Sequence, residues 1–184
     1  MSYTFTKHPL LIALFLVGAL CARGQDIHFS QFDFSPLNMN PALTGIFKGD
    51  MRFTGNVRSQ WVTVPVSYLT ASAGYDFKLY DKNLQNTLFA GGVLFNYDRA
   101  GDGNLSLAQL GLSTSVTQQL SDQNFLTLGV QFNIHQRSLR PADLTFGNQF
   151  DGEQFNPNLS SREDFETTVD NYFGIAIGLN WHYQ

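Results

Sequence analysis

The 184-residue chain contains a single cysteine, Cys21, and only 14% of its residues are charged. Cys21 lies within the first 24 residues, which are expected to be removed as a leader. The absence of cysteine from the rest of the chain excludes disulfides, thiol catalysis and thiolate metal sites there. The charged fraction is well below the roughly 25% of an average soluble domain. After residue 24 there is no run of 18 apolar residues, so the sequence predicts no transmembrane helix there. Any membrane-spanning structure must therefore consist of strands.

Basic residues are also scarce. The 11 lysines and arginines stand against 15 acidic residues, and loss of the leader removes Lys7 and Arg23. The remaining chain carries a formal charge of −6, from nine basic and 15 acidic residues. A nucleic-acid-binding protein needs a basic face, so this balance argues against nucleic acid as a partner. Phenylalanine (17) and glycine (16), in contrast, are abundant, which suits strands that face lipid.

The first 24 residues have the layout of a secretory signal peptide. Residues 10–20 form an apolar run that is too short to span a bilayer, and Ala22 and Gly24 predict cleavage after Gly24. Lipidation of Cys21 is the disfavoured alternative, because a large residue precedes the cysteine. We therefore divide the chain into a signal peptide (1–24), a periplasmic lead-in segment (25–49) and a strand-rich part (50–184). Pro36 and Pro41 are expected to interrupt any regular element in the lead-in.

From residue 50 onward, apolar and polar residues alternate with the period of two that is typical of β-strands. In the clearest example, Leu126, Leu128 and Val130 alternate with Thr127 and Gly129. The strands are longer than the about 5–6 residues usual in soluble sheets and reach the about 9–11 residues of a tilted membrane strand. Six strands are predicted, at 51–61, 67–79, 87–97, 105–119, 125–138 and 172–183.

The connections between these strands differ in length. Short turns are predicted near 80–86 and 121–124, and outward loops near 62–66, 98–104 and 139–170. Short inner turns and long outer loops are the pattern of outer-membrane barrels. Aromatic residues at the strand ends fit interfacial girdles or ordinary sheet packing: Trp61, Tyr68, Tyr97, Phe125, Trp181 and Tyr183.

These features predict an all-β fold, an antiparallel transmembrane β-barrel of a Gram-negative outer membrane, in contact with outer-membrane lipid. Six strands are fewer than the eight of the smallest single-chain barrels, and open sheet edges are not tolerated in lipid. We therefore expect this to be the N-terminal part of a longer protein, or a barrel completed by other chains.

A block of residues near the start of the exported chain is recognisable. It contains Phe29-Ser30-Gln31, then Asn40-Pro41-Ala42 with Gly45, and then Arg58, Gln60 and Trp61 on the first strand. In this order the block resembles the PorP/SprF family of Bacteroidota outer-membrane proteins, associated with type IX secretion and gliding motility. The resemblance implies a longer, non-enzymatic protein without a cofactor. Its implied partners are secretion-machinery subunits and a secreted cargo or adhesin.

Residues that could carry chemistry have ordinary explanations. His28, His135 and His182 are the histidines after the leader, and a His135–Asn133 pair would suit a hydrolase only with a nucleophilic serine. Asp98, Asp102 and Asn104 could ligate calcium, but their spacing is not that of an EF-hand loop and they are common turn formers. The acidic stretch 151–166 is either a cargo surface or a solvated loop. We predict no enzyme and no metal site.

Polar residues on the second face of the strands are expected to line the lumen. They are Arg52, Arg58, Asp76, Lys78, Gln131, Asn133, His135 and Arg137. Charges there would form inter-strand ion pairs or contact a plug or cargo segment. Asn40-Pro41-Ala42 is either a turn that packs into the base of the barrel or part of a plain tether. The leading function is a component that helps export or anchor a partner protein. The alternative is a passive pore for small solutes, and a lipid hydrolase is a third class.

Overall fold

The computed structural model describes residues 29, 31–61, 63, 68–79, 86–101, 103–141, 144–164 and 168–183. The predicted signal peptide, Ser30 and His28 lie outside the described residues. So do most of the predicted connections 62–66 and 80–86. In the described part of the chain, none of the helices has the length and hydrophobicity to cross a membrane.

The described strands form one antiparallel sheet in which every strand pairs with its neighbours in sequence. Its strands are β1 (Met51–Gln60), β2 (Tyr68–Leu79), β3 (Thr87–Ala100), β4 (Leu105–Ser121), β5 (Asn124–Ser138) and β6 (Val169–Tyr183). The prediction of an all-β, antiparallel fold is confirmed. The strands of 10 to 17 residues are long enough to cross a bilayer at a tilt.

Register places the predicted polar positions on one common face of the sheet. Successive side chains of a strand point to opposite faces, and partners across a ladder share a face. One continuous row of partners crosses all six strands: Arg52, Asp76, Gly92, Ser113, Gln131 and Ala176. We call the face that carries this row the inner face, and the opposite face the outer face.

The distribution of polarity is inverted relative to a soluble protein. Among the described residues, 13 polar or charged residues are buried against five hydrophobic ones. Large apolar side chains project from the outer face, as in Phe53 (75% exposed), Ile177 (73%) and Phe173 (81%). Monomeric soluble proteins rarely expose contiguous apolar surface of this kind, whereas a sheet surrounded by lipid requires it. This inversion distinguishes a membrane sheet from a soluble sandwich, which alternation alone does not do.

The residues before β1 lie against the inner face. They form helix α1 (Pro36–Met39) between two 3-10 turns, Phe32–Phe34 and Pro41–Leu43. The expectation that the two prolines would interrupt regular structure was wrong, because Pro36 and Pro41 each open a helical turn. The first turn of a helix needs no backbone N–H there, and proline already has the required φ. We call residues 31–50 the inner segment.

Two predicted features are placed differently by the structure. Asp98 belongs to β3 instead of a loop, because β3 continues to Ala100, and it accepts a hydrogen bond from Thr70 Oγ1 at 2.5 Å. Tyr68 and Phe125 follow the inner-face alternation, and Phe125 stacks on His182 with ring centroids 5.0 Å apart. These two aromatics therefore do not belong to an outer-face girdle.

The long connection before β6 has local structure of its own. A 3-10 turn at Gly147–Gln149 is followed by a small hairpin in which Phe150 bridges Phe155, and both phenylalanines are about half exposed. At the hairpin turn, the backbone N–H groups of Gln154 and then Glu153 lower the pKa of the Asp151 carboxyl below its usual value. The predicted polar loop thus also presents aromatic surface.

Candidate functional site

The inner segment and the inner face of the sheet form one buried interface. Leu37, Ala42 and Thr44 on the segment are 3%, 0% and 0% exposed. Leu94 on β3, 2% exposed, is a leucine on the mostly polar face of its strand. The tips of Leu37 and Leu94 both lie above Gly74, within 4 Å of the position that a Cβ would take there. A small apolar core therefore joins the segment to the middle of the sheet.

The Asn40-Pro41-Ala42 turn lies directly on two glycines of the sheet. A Cβ built on Gly129 of β5 would overlap the backbone of Pro41 and Ala42. A Cβ on Gly178 of β6 would overlap the side-chain oxygen of Asn40. Asn40 caps its own turn by accepting from the Ala42 N–H (2.9 Å), and its Nδ2 donates to the Leu179 carbonyl (3.2 Å). The turn therefore packs against the sheet and is not a plain tether.

A buried ion pair fastens the end of the inner segment. Asp76, 1% exposed, accepts from Arg52 Nε at 3.0 Å and from Arg52 Nη2 at 2.7 Å, and also from the backbone N–H of Gly45 at 2.9 Å. Arg52 also donates to the carbonyls of Leu43 (3.0 Å) and Ile46 (3.3 Å). Both uses predicted for these charges, an inter-strand ion pair and contact with a segment of chain, occur in one cluster.

The inner-face cation of β2, Lys78, also contacts the inner segment. Lys78 Nζ donates to the Phe47 carbonyl at 2.6 Å and lies 4.8 Å from the centroid of the Phe47 ring. The Arg52 guanidinium lies 4.7 Å from the same centroid. Cations over an aromatic ring are attracted by its quadrupole. Phe47 is therefore held between two strands by backbone and ring contacts together.

Uncharged side chains continue the contact farther along the inner face. Asn38 Nδ2 lies within hydrogen-bond distance of Ser35 Oγ (2.7 Å), Ser72 Oγ (3.0 Å) and Asn96 Oδ1 (3.2 Å). The fully buried Asn96 donates in return to Asn38 (2.7 Å) and to Gln109 Oε1 (3.0 Å). Buried polar groups are costly unless they find partners, and this network supplies them.

Hydroxyl groups fix the middle of the segment. Thr44 Oγ1 donates to the Pro41 carbonyl (2.7 Å) and lies 2.6 Å from Ser113 Oγ. Ser115 Oγ donates to the Thr44 carbonyl at 2.7 Å. The small inner-face residues of β4 thus serve as hydrogen-bonding positions for the segment.

A pocket of about 360 Å³ remains between the inner segment and strands β4 to β6. Five of its lining side chains are amides: Asn38, Asn40, Gln109, Gln131 and Asn133. Gln131 and Gln109 are 4% and 3% exposed. Gln131 Nε2 donates to Asn133 Oδ1 at 2.8 Å, whereas the buried Gln131 Oε1 has no hydrogen-bond partner in the described part of the chain. We call this cavity the amide pocket.

The remaining predicted lumen residues lie toward the loop end of β5. His135 stacks on Tyr172 of β6, with centroids 4.5 Å apart and rings nearly parallel. Arg137 is exposed and pairs in register with Asp170. Asn133 is bonded to Gln131, and no group of three or more His, Cys, Asp or Glu side chains suited to a metal ion occurs within the described ranges. Asp102 of the weighed calcium set lies outside those ranges.

The structure separates the recognisable block into two groups. Asn40, Pro41, Ala42 and Gly45 lie in the interface, and Gly45 adopts a φ of +77°, a conformation that side chains rarely tolerate. Arg58 and Gln60 lie near the end of β1, and Trp61 directly follows the strand and packs edge-on against Tyr68, with ring centroids 4.8 Å apart. Phe29 is buried and Gln31 is exposed.

Several residues of the interface were not singled out from the sequence. Alternation predicts that Asn96, Gln109 and Ser113 share a polar face, but alternation does not show which residues meet a segment 50 to 70 positions earlier. Glycines at matching inner-face positions of adjacent strands, such as Gly129 and Gly178, were the available signal. They mark a close approach of backbone, whereas the abundance of glycine by itself indicates only strands that face lipid.

An apolar outer face, a polar inner face and long antiparallel strands define an open β-barrel sheet of a membrane protein. The inner segment packs against the inner face of this sheet.

The family described as Type IX secretion system membrane protein PorP/SprF matches residues 22–184, and the chain belongs to this family. The resemblance seen in the residues from Phe29 to Trp61 is thereby confirmed over most of the chain. No curated protein and no solved structure shows significant similarity to it. Membership makes the chain a membrane component of the type IX secretion system.

Proposed function

We propose that the protein acts in the outer membrane as a non-enzymatic component that helps export a partner protein or anchor it at the cell surface. The observation that carries the proposal is the inner face itself. It is built to hold polypeptide, because it already holds the inner segment through glycine contacts, a buried ion pair and amide hydrogen bonds. A passive pore would instead need an inner face open to water.

The connection between β5 and β6 supports the same role. Phe150 and Phe155 expose aromatic surface next to the acidic residues Asp151 and Glu153. If β1 begins at the periplasmic side, the alternation of strand direction carries this connection outside the cell. Exposed aromatics surrounded by polar groups are typical of protein-binding surfaces.

Surface proteomics of a deletion strain tests the proposal. We expect one large secreted protein, or a small set, to disappear from the cell surface while general permeability is unchanged. Complementation with the intact gene should restore it, and complementation with a Phe150→Ser, Phe155→Ser variant should restore less. An unchanged surface proteome with lost uptake of a small solute would instead establish the passive pore.

A further inference from the structure

One of the side chains that line the amide pocket, Gln131, carries a buried acceptor atom without a partner. Gln131 projects from β5 and is 4% exposed, and its Oε1 has no hydrogen-bond partner among the described residues. A buried polar atom without a partner costs free energy, so such atoms in a cavity commonly mark the position of a missing partner group. The group that satisfies Gln131 Oε1 must carry an N–H or O–H.

Two neighbouring residues on the inner face fix the position of the Gln131 side chain. Its Nε2 donates to Asn133 at 2.8 Å, and both amides lie over Gly111 of β4. A Cβ on Gly111 would lie 2.6 Å from Asn133 Oδ1 and 3.0 Å from Gln131 Nε2, so a larger residue there would displace these amides. The free acceptor is therefore held in place by a second amide and by a glycine of the neighbouring strand.

The rest of the pocket lining is uncharged. Its polar side chains are five amides, and its other lining residues are small or aliphatic, such as Leu37, Pro41 and Ala176. A charged ligand group would lose its hydration without gaining an opposite charge. An amide ligand, in contrast, presents both donors and acceptors to side chains that present the same.

We propose that the amide pocket binds a short, uncharged stretch of polypeptide, with a backbone or side-chain N–H or a hydroxyl donating to Gln131 Oε1. The volume of about 360 Å³ lies in the usual range of small-ligand pockets. None of the described residues that line the pocket has an aromatic ring, the flat platform on which sugar rings usually stack, so a peptide fits better than a glycan. The inference rests on the proposed function, because it assigns the place where a partner polypeptide is held.

Titration of the detergent-solubilised protein with capped hexapeptides tests the proposal. The probes are an alternating Gly-Ser peptide, its Gly-Asp and Gly-Lys counterparts, and maltotriose as a neutral polyol. Side-chain amide resonances of glutamine report binding, and the Gln131 signal is identified by its loss in Gln131→Leu. We expect saturable binding of the neutral peptide, and at least tenfold weaker binding of both charged peptides and of maltotriose.

Two variants and one control locate the binding. Gln131→Leu keeps nearly the same volume and removes the acceptor, so affinity should fall about tenfold, the loss expected for one hydrogen bond to a buried partner. Ala176→Leu fills the pocket from β6 and should abolish binding, which keeps the test decisive if Gln131→Leu folds poorly. Gln136→Leu makes the same change on the opposite face of β5 and should bind like the unchanged protein.

Several outcomes would overturn the proposal: no saturable binding of the neutral peptide, equal binding of a charged peptide or maltotriose, or full affinity in both pocket variants. A strain that carries Gln131→Leu separates this inference from the proposed function. If deletion removes the surface partner and Gln131→Leu at native level does not, the proposed function stands and the pocket assignment is wrong. If deletion changes nothing at the surface, the proposed function is wrong whatever the titration shows.

Discussion

The Gly129→Ala substitution places a methyl group where the backbone of the inner segment already lies. The nearest atoms are the Pro41 carbonyl group and the Ala42 nitrogen. They belong to a capped turn and cannot rotate away as a flexible side chain could. The turn must therefore move, and with it the contacts that fasten it to β5 and β6.

The size of the destabilisation depends on how the interface accommodates the new methyl group. Forcing one extra methyl group into a packed interface costs about 1–3 kcal/mol. If the segment lifts away instead, the burial of Leu37, which is 3% exposed, is lost at about 1.5–3 kcal/mol. Replacing a strand glycine by alanine stabilises the fold by about 0.5–1 kcal/mol, because alanine loses less backbone entropy on folding. We expect Gly129→Ala to lower the free energy of unfolding by about 1–1.5 kcal/mol, the balance of these effects.

Gly55→Ala is the matched control. Gly55 lies in β1 and points to the outer face, where the nearest atom to a new Cβ is Phe53 Cε1 at 3.9 Å, an ordinary contact. The same substitution should therefore leave stability unchanged or raise it slightly. Urea unfolding in phospholipid vesicles, followed by the fluorescence of Trp61 and Trp181, measures both variants. Equal effects at the two glycines would refute the packing of the Asn40-Pro41-Ala42 turn on the sheet.

Three further predictions concern the ion pair, the outer face and the long loop. Asp76→Asn leaves the Arg52 guanidinium without its buried partner and should destabilise by about 3 kcal/mol in the same unfolding assay; a loss near zero would contradict the fastening role. Leu112→Arg at mid-strand should cost about 2–4 kcal/mol, and Leu120→Arg near the strand end about 0–1 kcal/mol; equal costs would contradict the membrane position of β4. An epitope inserted after Gly152 should be labelled on intact cells, whereas labelling only after lysis would invert the topology.

Strand positions and faces could be predicted because they depend on local pattern. In β5, Leu126 to Ile134 alternate so regularly that a shift of one residue would turn every apolar side chain to the wrong face. The 32-residue connection 139–170 was also recognised from the sequence, and β6 begins at Val169. The hairpin in which Phe150 bridges Phe155 was not recognised from the sequence, because two aromatic residues five positions apart do not form a periodic pattern.

The candidate site could be predicted only in part. Arg52 and Asp76 were placed on one face by parity, and their register as direct partners required the actual pairing of β1 with β2. Leu94 was an exception to the alternation of β3, and it is buried where Leu37 of the inner segment, more than 50 residues earlier, also approaches Gly74. The helical turns that begin at Pro36 and Pro41 were missed because proline stops a helix from within and starts one at its first position.

The sequence by itself determined the signal layout, the six strands, their two faces and the family, because each of these depends on composition, on a period of two or on a short ordered motif. Only the tertiary structure decided that the inner segment lies on the inner face, that Gly129 and Gly178 receive its turn, and that five amides surround one pocket. The physical reason is that these contacts join residues far apart in the chain. Their pairing depends on strand register and on the space that glycines leave, and a local stretch of sequence determines neither.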